Sequence, residues 1–310
     1  MNIETLLGDA YYRYFGHGHK KSIYQIKNIS NLEKFETIYV LNANISHSGN
    51  WSEKAKEILV PHLSTIDAII LSMLLIENYL NRKYKYISCE SLLLTEFEIK
   101  ASKVPVHDLN NLKLAIMREE IDVIKKQFTF VTDIQGMKVT LSLKAVNSVL
   151  NIKEDGDEDK INFISNHLKS YYHNISNIRF SSNSKVSAMI NANSLNSQNF
   201  CGIQSNHVSN LSLIECLLIF SQMCQVLAYN HDSMDREDTN NLWMRSIKAE
   251  IIDVALCVNR ENSLMVHGII DKAKRIKKSE EEWRTFHMSG ITDCQNIRFS
   301  GRVAHKISNG

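Results

Sequence analysis

Two carboxylates stand where acid or base chemistry is possible. Asp67 follows Ser64 by three residues and Glu215 follows Ser212 by three, each at the start of a long apolar stretch. A serine three residues before an acid is a helix N-cap with its capping box. Both acids therefore fall in a first helical turn, at the positive end of the helix dipole. Capping accounts for them. So does a role as general acid, general base or orienting group, because desolvation beside an apolar cavity raises a carboxylate's pKa while the helix end lowers it. Three histidines lie near these acids in sequence: His62 just before the first helix, His207 shortly before the second, and His47 upstream of the first. Imidazole is the side chain that exchanges protons near neutral pH, so these five residues are the candidate catalytic set.

The two acids are equivalent because the chain repeats itself. Residues 39–46, YVLNANIS, match residues 188–194, AMINANS, in an Asn-Ala-Asn after an apolar stretch. Residues 63–80 match residues 211–228, with Leu63, Ser64, Ile66 and Asp67 falling on Leu211, Ser212, Ile214 and Glu215, 148 positions on. Residues 131–141 match residues 291–301, with Thr132, Asp133 and Gln135 falling on Thr292, Asp293 and Gln295, now 160 positions on. Three collinear matches point to an internal duplication, with extra residues after the second helix.

The helices must position these groups, and their composition says how they are covered. No charge interrupts Ala68 to Ile76, and none interrupts Cys216 to Tyr229. A helix without a polar face must be enclosed on nearly all sides. A helix wrapped by a long curved antiparallel sheet satisfies this, the arrangement called the hot dog. Strands are expected near 22–30, 37–46, 84–89, 92–101, 124–132 and 137–146 in the first copy. In the second they are expected near 171–180, 184–193, 242–252, 262–275, 282–291 and 296–305. The expected class is α+β, a tandem (double) hot-dog fold with copies at residues 1–150 and 151–310. The copies would pair as a pseudo-dimer within a monomer, or the chain would form a homodimer.

Hot-dog dehydratases place a His in the loop before the helix opposite an acid of the other copy's helix. That resemblance implies crossed pairs: His47 or His62 with Glu215, and His207 with Asp67. The chain departs from the dehydratase pattern. Pro61 alone remains of the Gly and Pro residues before the helix, and Leu71 or Ile219 replaces the Gln after the acid. Asn210 and Leu213 stand where the first copy has His62 and Thr65, a more polar approach to the helix in the first copy, so one working site rather than two is expected.

Composition narrows the rest. The 310 residues are 44% hydrophobic, with 36 basic and 34 acidic side chains, 2 Pro and 11 Gly. That balance gives no reason to expect nucleic acid as a partner. No cofactor or metal is expected. His17-Gly18-His19 has ligand types but no second cluster, and reads as a loop. The acidic run from Asp232 reads as a solvated loop, and Lys272 to Lys278 as a charged strand face or turn. The apolar runs Ala68 to Ile76 and Cys216 to Phe220 are too short to span a bilayer, and no signal peptide is visible. Six cysteines without a C-x-x-C pair fit reduced thiols in a cytoplasmic protein.

The segments Arg13-Tyr14-Phe15-Gly16-His17-Gly18 with Lys20, and Pro61-His62-Leu63-Ser64-Thr65-Ile66-Asp67-Ala68, resemble the avirulence D (AvrD) family of bacterial proteins, over essentially the whole chain. The resemblance implies synthesis of syringolide-type signals from a 3-oxoacyl thioester and a ketopentose such as xylulose. It implies as partners an acyl thioester, on acyl carrier protein or coenzyme A, and a small hydroxylated acceptor. The expected activity is acyl transfer or condensation giving a syringolide-like or butyrolactone-like product. A hydroxyacyl-thioester dehydratase, a thioesterase and a non-catalytic acyl-binding protein are the alternatives.

Overall fold

The serine-capped apolar stretches become the two long helices. In the computed structural model, which describes residues 1–27, 37–84, 87–146, 160–194, 198–237, 242–278 and 281–307, these are α2 (Thr65–Lys83) and α4 (Leu213–Asp232). Ser64 and Ser212 accept from the N–H of Asp67 and Glu215, and each acid accepts from its serine's N–H, so both capping boxes are complete. Two shorter helices, α1 (Ile3–Leu7) and α3 (Phe163–Ser170), precede the first strand of each half; α1 packs on α4 and α3 on α2. By length and composition α4 could cross a bilayer, unlike the shorter run noted within it. Here its length is buried in the protein's own core, as the missing polar face requires.

Twelve antiparallel strands form the sheet around these helices. The first six are β1 (Ser22–Lys27), β2 (Tyr39–His47), β3 (Leu92–Lys100), β4 (Leu112–Asp122), β5 (Gln127–Ile134) and β6 (Met137–Ala145). The last six are β7 (Tyr171–Ser182), β8 (Lys185–Ser194), β9 (Trp243–Ile251), β10 (Leu264–Lys278), β11 (Glu281–Thr292) and β12 (Ile297–Lys306). Across the sheet they run β1-β2-β4-β5-β6-β3-β9-β12-β11-β10-β8-β7. Read outward from the centre, each half has the same order. The halves join at β3 and β9, where Ile99 lies opposite Ile247 and Phe97 opposite Ala249. The class is α+β, with buried helices against a long antiparallel sheet.

Two strand expectations need correction. Among the described residues of 84–89 no strand forms: Cys89–Ser91 is a short 3-10 turn leading into β3, and residues 85 and 86 lie outside the described residues. The strand β4 was not anticipated, because Arg118 to Asp122 are mostly exposed and break the alternation that marks a half-buried strand. The 150/151 boundary and the last three residues of the strand expected at 22–30 also lie outside the described residues.

The matched segments have local causes. In both halves the Asn-Ala-Asn strand places Ala on the buried face and uses Asn to hold the start of the next strand. Asn42 Nδ2 donates to Asn111 Oδ1 and Asn111 N donates to Asn44 Oδ1; in the second half Ser263 Oγ donates to Asn191 Oδ1. Gln135 and Gln295 both adopt left-handed φ, 48° and 54°, in the turns that follow β5 and β11. Most of the extra residues after the second helix lengthen the β10–β11 hairpin.

His17-Gly18-His19 is not an open loop. Gly18 starts a 3-10 turn, and a Cβ there would come within 2.0 Å of Trp51 O. His19 is buried and its Nδ1 is 3.0 Å from Tyr14 O. Asp232 ends α4 rather than starting a solvated loop: Arg284 and His305 bind its carboxylate. Gly290 shows how closely β11 crosses α4, since a Cβ there would meet Phe220 Cε2 at 2.5 Å. Phe220 is stacked on Phe299 at 4.8 Å and cannot retreat. Gly290→Ala should therefore lower stability by about 1–3 kcal/mol, measured by urea denaturation.

Candidate active site

A cavity of about 740 Å³ opens beside the start of α2. Both halves of the sheet order build it. The first contributes Arg13, Trp51, His62, Ser64 and Thr65, and the second contributes Gln225 and Tyr229 of α4, Trp243 of β9 and Trp283 of β11. The corresponding position on the other helix is closed. Glu77 of α2, 148 residues before Gln225, accepts from Ile203 N at 2.8 Å and Asn162 Nδ2 at 2.7 Å, so the turn at Gly202 covers it.

Of the five candidate residues, His62 alone lines this cavity. Its ring lies against Trp51 at 4.7 Å and Trp243 at 5.4 Å, with His107 at 6.1 Å. Burial lowers its pKa, and a Val60 backbone contact and the Asp67 charge offset only part of that. The ring is neutral near pH 7 and able to accept a proton. Beside it, Asp67 N is bonded to Ser64 Oγ and Ala68 N to Ser64 O. Thr65 and Ile66 carry the other backbone donors of the first turn; Thr65 lines the cavity, and Ile66 is fully buried outside its wall.

Asp67 stands behind the cap, fully buried and outside the cavity wall. Oδ2 accepts from Ser64 N at 3.0 Å, Ser64 Oγ at 2.6 Å and Tyr14 OH at 3.3 Å; Oδ1 accepts from Tyr24 OH at 2.7 Å. Burial, then the Asp67 charge, raises the pKa of both phenols, which stay protonated donors. Glu215 is equally buried. It accepts from Ser212 N at 2.9 Å, lies 2.8 Å from His173 Nε2, and takes both terminal nitrogens of Arg260. Arg260 is itself stacked over Tyr171.

Neither crossed pair forms among the described residues. Each acid finds its partner on the first strand of its own half, Tyr24 on β1 for Asp67 and His173 on β7 for Glu215. The reason is reach: the cap turns each carboxylate back over its own helix start, toward the neighbouring edge strand. His47, at the end of β2, and His207, in the 3-10 turn Ser205–His207, are both outside the cavity wall. Burial lowers the pKa of each, and each has a buried Nε2 without a partner among the described residues. His173 and Arg260 escaped sequence reasoning because their contact to Glu215 spans 42 and 45 residues. One signal was present: His173 lies 149 residues after Tyr24, close to the repeat spacing.

With this geometry in hand, comparison decides the family. The model of the Pseudomonas avirulence D protein (AvrD) family matches residues 2–308. The chain belongs to the AvrD family. No curated protein matches it in sequence. Among solved structures, the AvrD-family chain is similar to a TesB protein of Mycobacterium avium subspecies paratuberculosis, at 6% identity and TM-score 0.45, over 89% of this chain and 95% of that one. It is similar to a hot-dog-fold protein of Alicyclobacillus acidocaldarius at 5% identity and TM-score 0.45, over 87% and 94%. It is also similar to an acyl-CoA thioesterase II of Mycobacterium marinum, at 8% identity and TM-score 0.40, over 71% and 83%. The two motifs that carry the AvrD resemblance meet at the cavity: Tyr14 OH is 2.5 Å from Ser64 Oγ.

Proposed function

We propose that this chain is a biosynthetic acyltransferase. It joins a 3-oxoacyl group, delivered as a thioester on acyl carrier protein or coenzyme A, to a hydroxyl of a small sugar or polyol. We propose further that residues 1–150 and 151–310 are tandem copies of one hot-dog unit, of which one retains a working site. The observation that carries the reading is the cavity of about 740 Å³ with His62 beside the open first turn of α2. Its volume is that of a pocket for a chain of moderate length. Membership of the AvrD family and the shared strand order of the halves support it.

In this reading the acyl chain lies along Leu59, Leu63 and Trp243, and the thioester oxygen faces the backbone N–H groups of the first turn of α2 beside Thr65. His62 takes the proton of the acceptor hydroxyl. The hydroxyl oxygen bonds to the carbonyl carbon, the carbon–sulfur bond breaks, and the thiolate leaves with the proton that His62 held. Asp67 acts at one remove, by fixing Ser64 and the turn that presents those N–H groups.

The test is to incubate the protein with a 3-oxoacyl thioester and a ketopentose and look for the ester by mass spectrometry. Ester formation supports the reading. Thiol release without an acceptor would replace it with hydrolysis, and thermal stabilisation by the thioester without turnover would replace it with ligand binding.

A further inference from the structure

One row of the sheet is apolar where its geometry calls for polar side chains. Along β12, Val303 and His305 are buried toward the helices, and His305 Nε2 lies 2.8 Å from Asp232 Oδ2 at the end of α4. Ala304 therefore faces the other way, together with Arg298, Ser300 and Arg302, which alternate along the strand with it. Both arginines are exposed, whereas Ala304 is only 8% exposed.

The register shows what surrounds it. Trp243 of β9 lies opposite Ala304 on one side, and Thr285 of β11 lies opposite it on the other. Trp283 is two residues from Thr285 on the same face and lies opposite Ile276 of β10. All five residues line the cavity. Ala304 and Thr285 thus form a floor of small side chains between two indoles, whose strands stand about 10 Å apart. The other half keeps the expected polarity. Lys144, 160 residues before Ala304, is exposed at the corresponding place on β6, between Leu93 of β3 and Gln127 of β5. Packing on the helices does not account for the second row, because it faces away from them. Contiguous apolar surface of this kind marks a binding site. One end reaches the candidate base, since the Trp243 ring is 5.4 Å from that of His62.

We propose that this slot, from Trp243 over Ala304 and Thr285 to Trp283, holds the distal methylenes of the acyl chain, and that Ala304 sets how long a chain is accepted. The assignment to the acyl group rests on the acyl-transfer reading above. A polymethylene chain needs an apolar floor and no directional partner. A sugar laid over the same floor would have hydroxyls facing a methyl group and two indole rings, unpaired. Leucine at 304 would fill the space between the indoles and leave the part of the cavity beside His62 untouched.

All three tryptophans of the chain line the cavity, so intrinsic fluorescence reports its occupation. Titrating the full chain with saturated acyl-coenzyme A thioesters of about four to twelve carbons, without an acceptor, should show affinity rising about threefold per methylene and then levelling once the slot is full. In Ala304→Leu the levelling should come about three carbons earlier, and the ratio of affinities for the longest and shortest chains should fall about tenfold or more. Thr285→Leu, at the half-buried neighbouring position, should act in the same direction and stands in if the Ala304 variant does not fold. A ratio equal to the wild type's in the folded variants overturns the slot, and so does a wild type that binds every chain length equally. Ester formed from 3-oxoacyl thioesters and a ketopentose, with the same length preference in wild type and Ala304→Leu, overturns this inference and spares acyl transfer. A length preference in binding that shifts with Ala304→Leu, with no ester formed, does the reverse.

Discussion

Replacing Arg260 with methionine is expected to lower folding stability by about 3–5 kcal/mol, read as a reduced urea midpoint. Glu215 is fully buried, and burial alone would raise its pKa; hydrogen bonds from His173 and Arg260 outweigh that and hold the carboxyl well below the usual glutamate range. Removing Arg260 leaves a buried charge with one fewer compensating cation. Adding Glu215→Gln should recover part of the loss, because the two side chains form one unit. The sign of the pH effect follows. A carboxyl whose pKa is depressed in the folded protein contributes stability above its unfolded pKa and loses it as pH falls through that value toward the folded one. The wild-type midpoint should therefore drop as pH falls below the usual glutamate range, and the Arg260→Met profile should be flatter there. A variant as stable as the wild type would show that the pair contributes no net stability.

His62→Ala should lower the rate of ester formation by about 10²–10⁴, the usual contribution of a positioned general base. The pH profile separates this role from packing against Trp51 and Trp243. Burial lowers the His62 pKa, so the rate should be level near neutrality and fall only as pH drops below the ordinary histidine range. His62→Asn keeps most of the packing and should lose this acid limb along with the rate. Retention of the wild-type rate in either variant removes His62 as the base.

The elements most legible in the sequence were those with one local cause. Ser64 with Asp67 and Ser212 with Glu215 are capping boxes because three residues of spacing permit little else. The charge-free runs predicted enclosure, and α2 and α4 are enclosed. The strand β4 was hidden because half of it is solvated and its residues follow no period. The partners of the acids were hidden for another reason. A cap fixes which way a carboxylate points, but which strand lies there is a matter of tertiary packing. Tyr24 and His173 thus took the places that the dehydratase pattern had given to the opposite half. Arg13 stood in a motif noted for resemblance alone, and its partner Gln222 lies 209 residues away.

The pairing of β3 with β9 has a consequence for how the site is kept together. A site shared by two separate subunits exists only while they remain associated, and dilution erodes it. Here both walls are tethered to one backbone, so their effective concentration is set by the chain and not by the amount of protein. The same tether frees the walls to diverge. Identical subunits must carry every change twice, once on each side of their axis. In this chain His62 precedes α2 and Asn210 precedes α4, and the cavity opens beside the start of α2 while the turn at Gly202 covers Glu77.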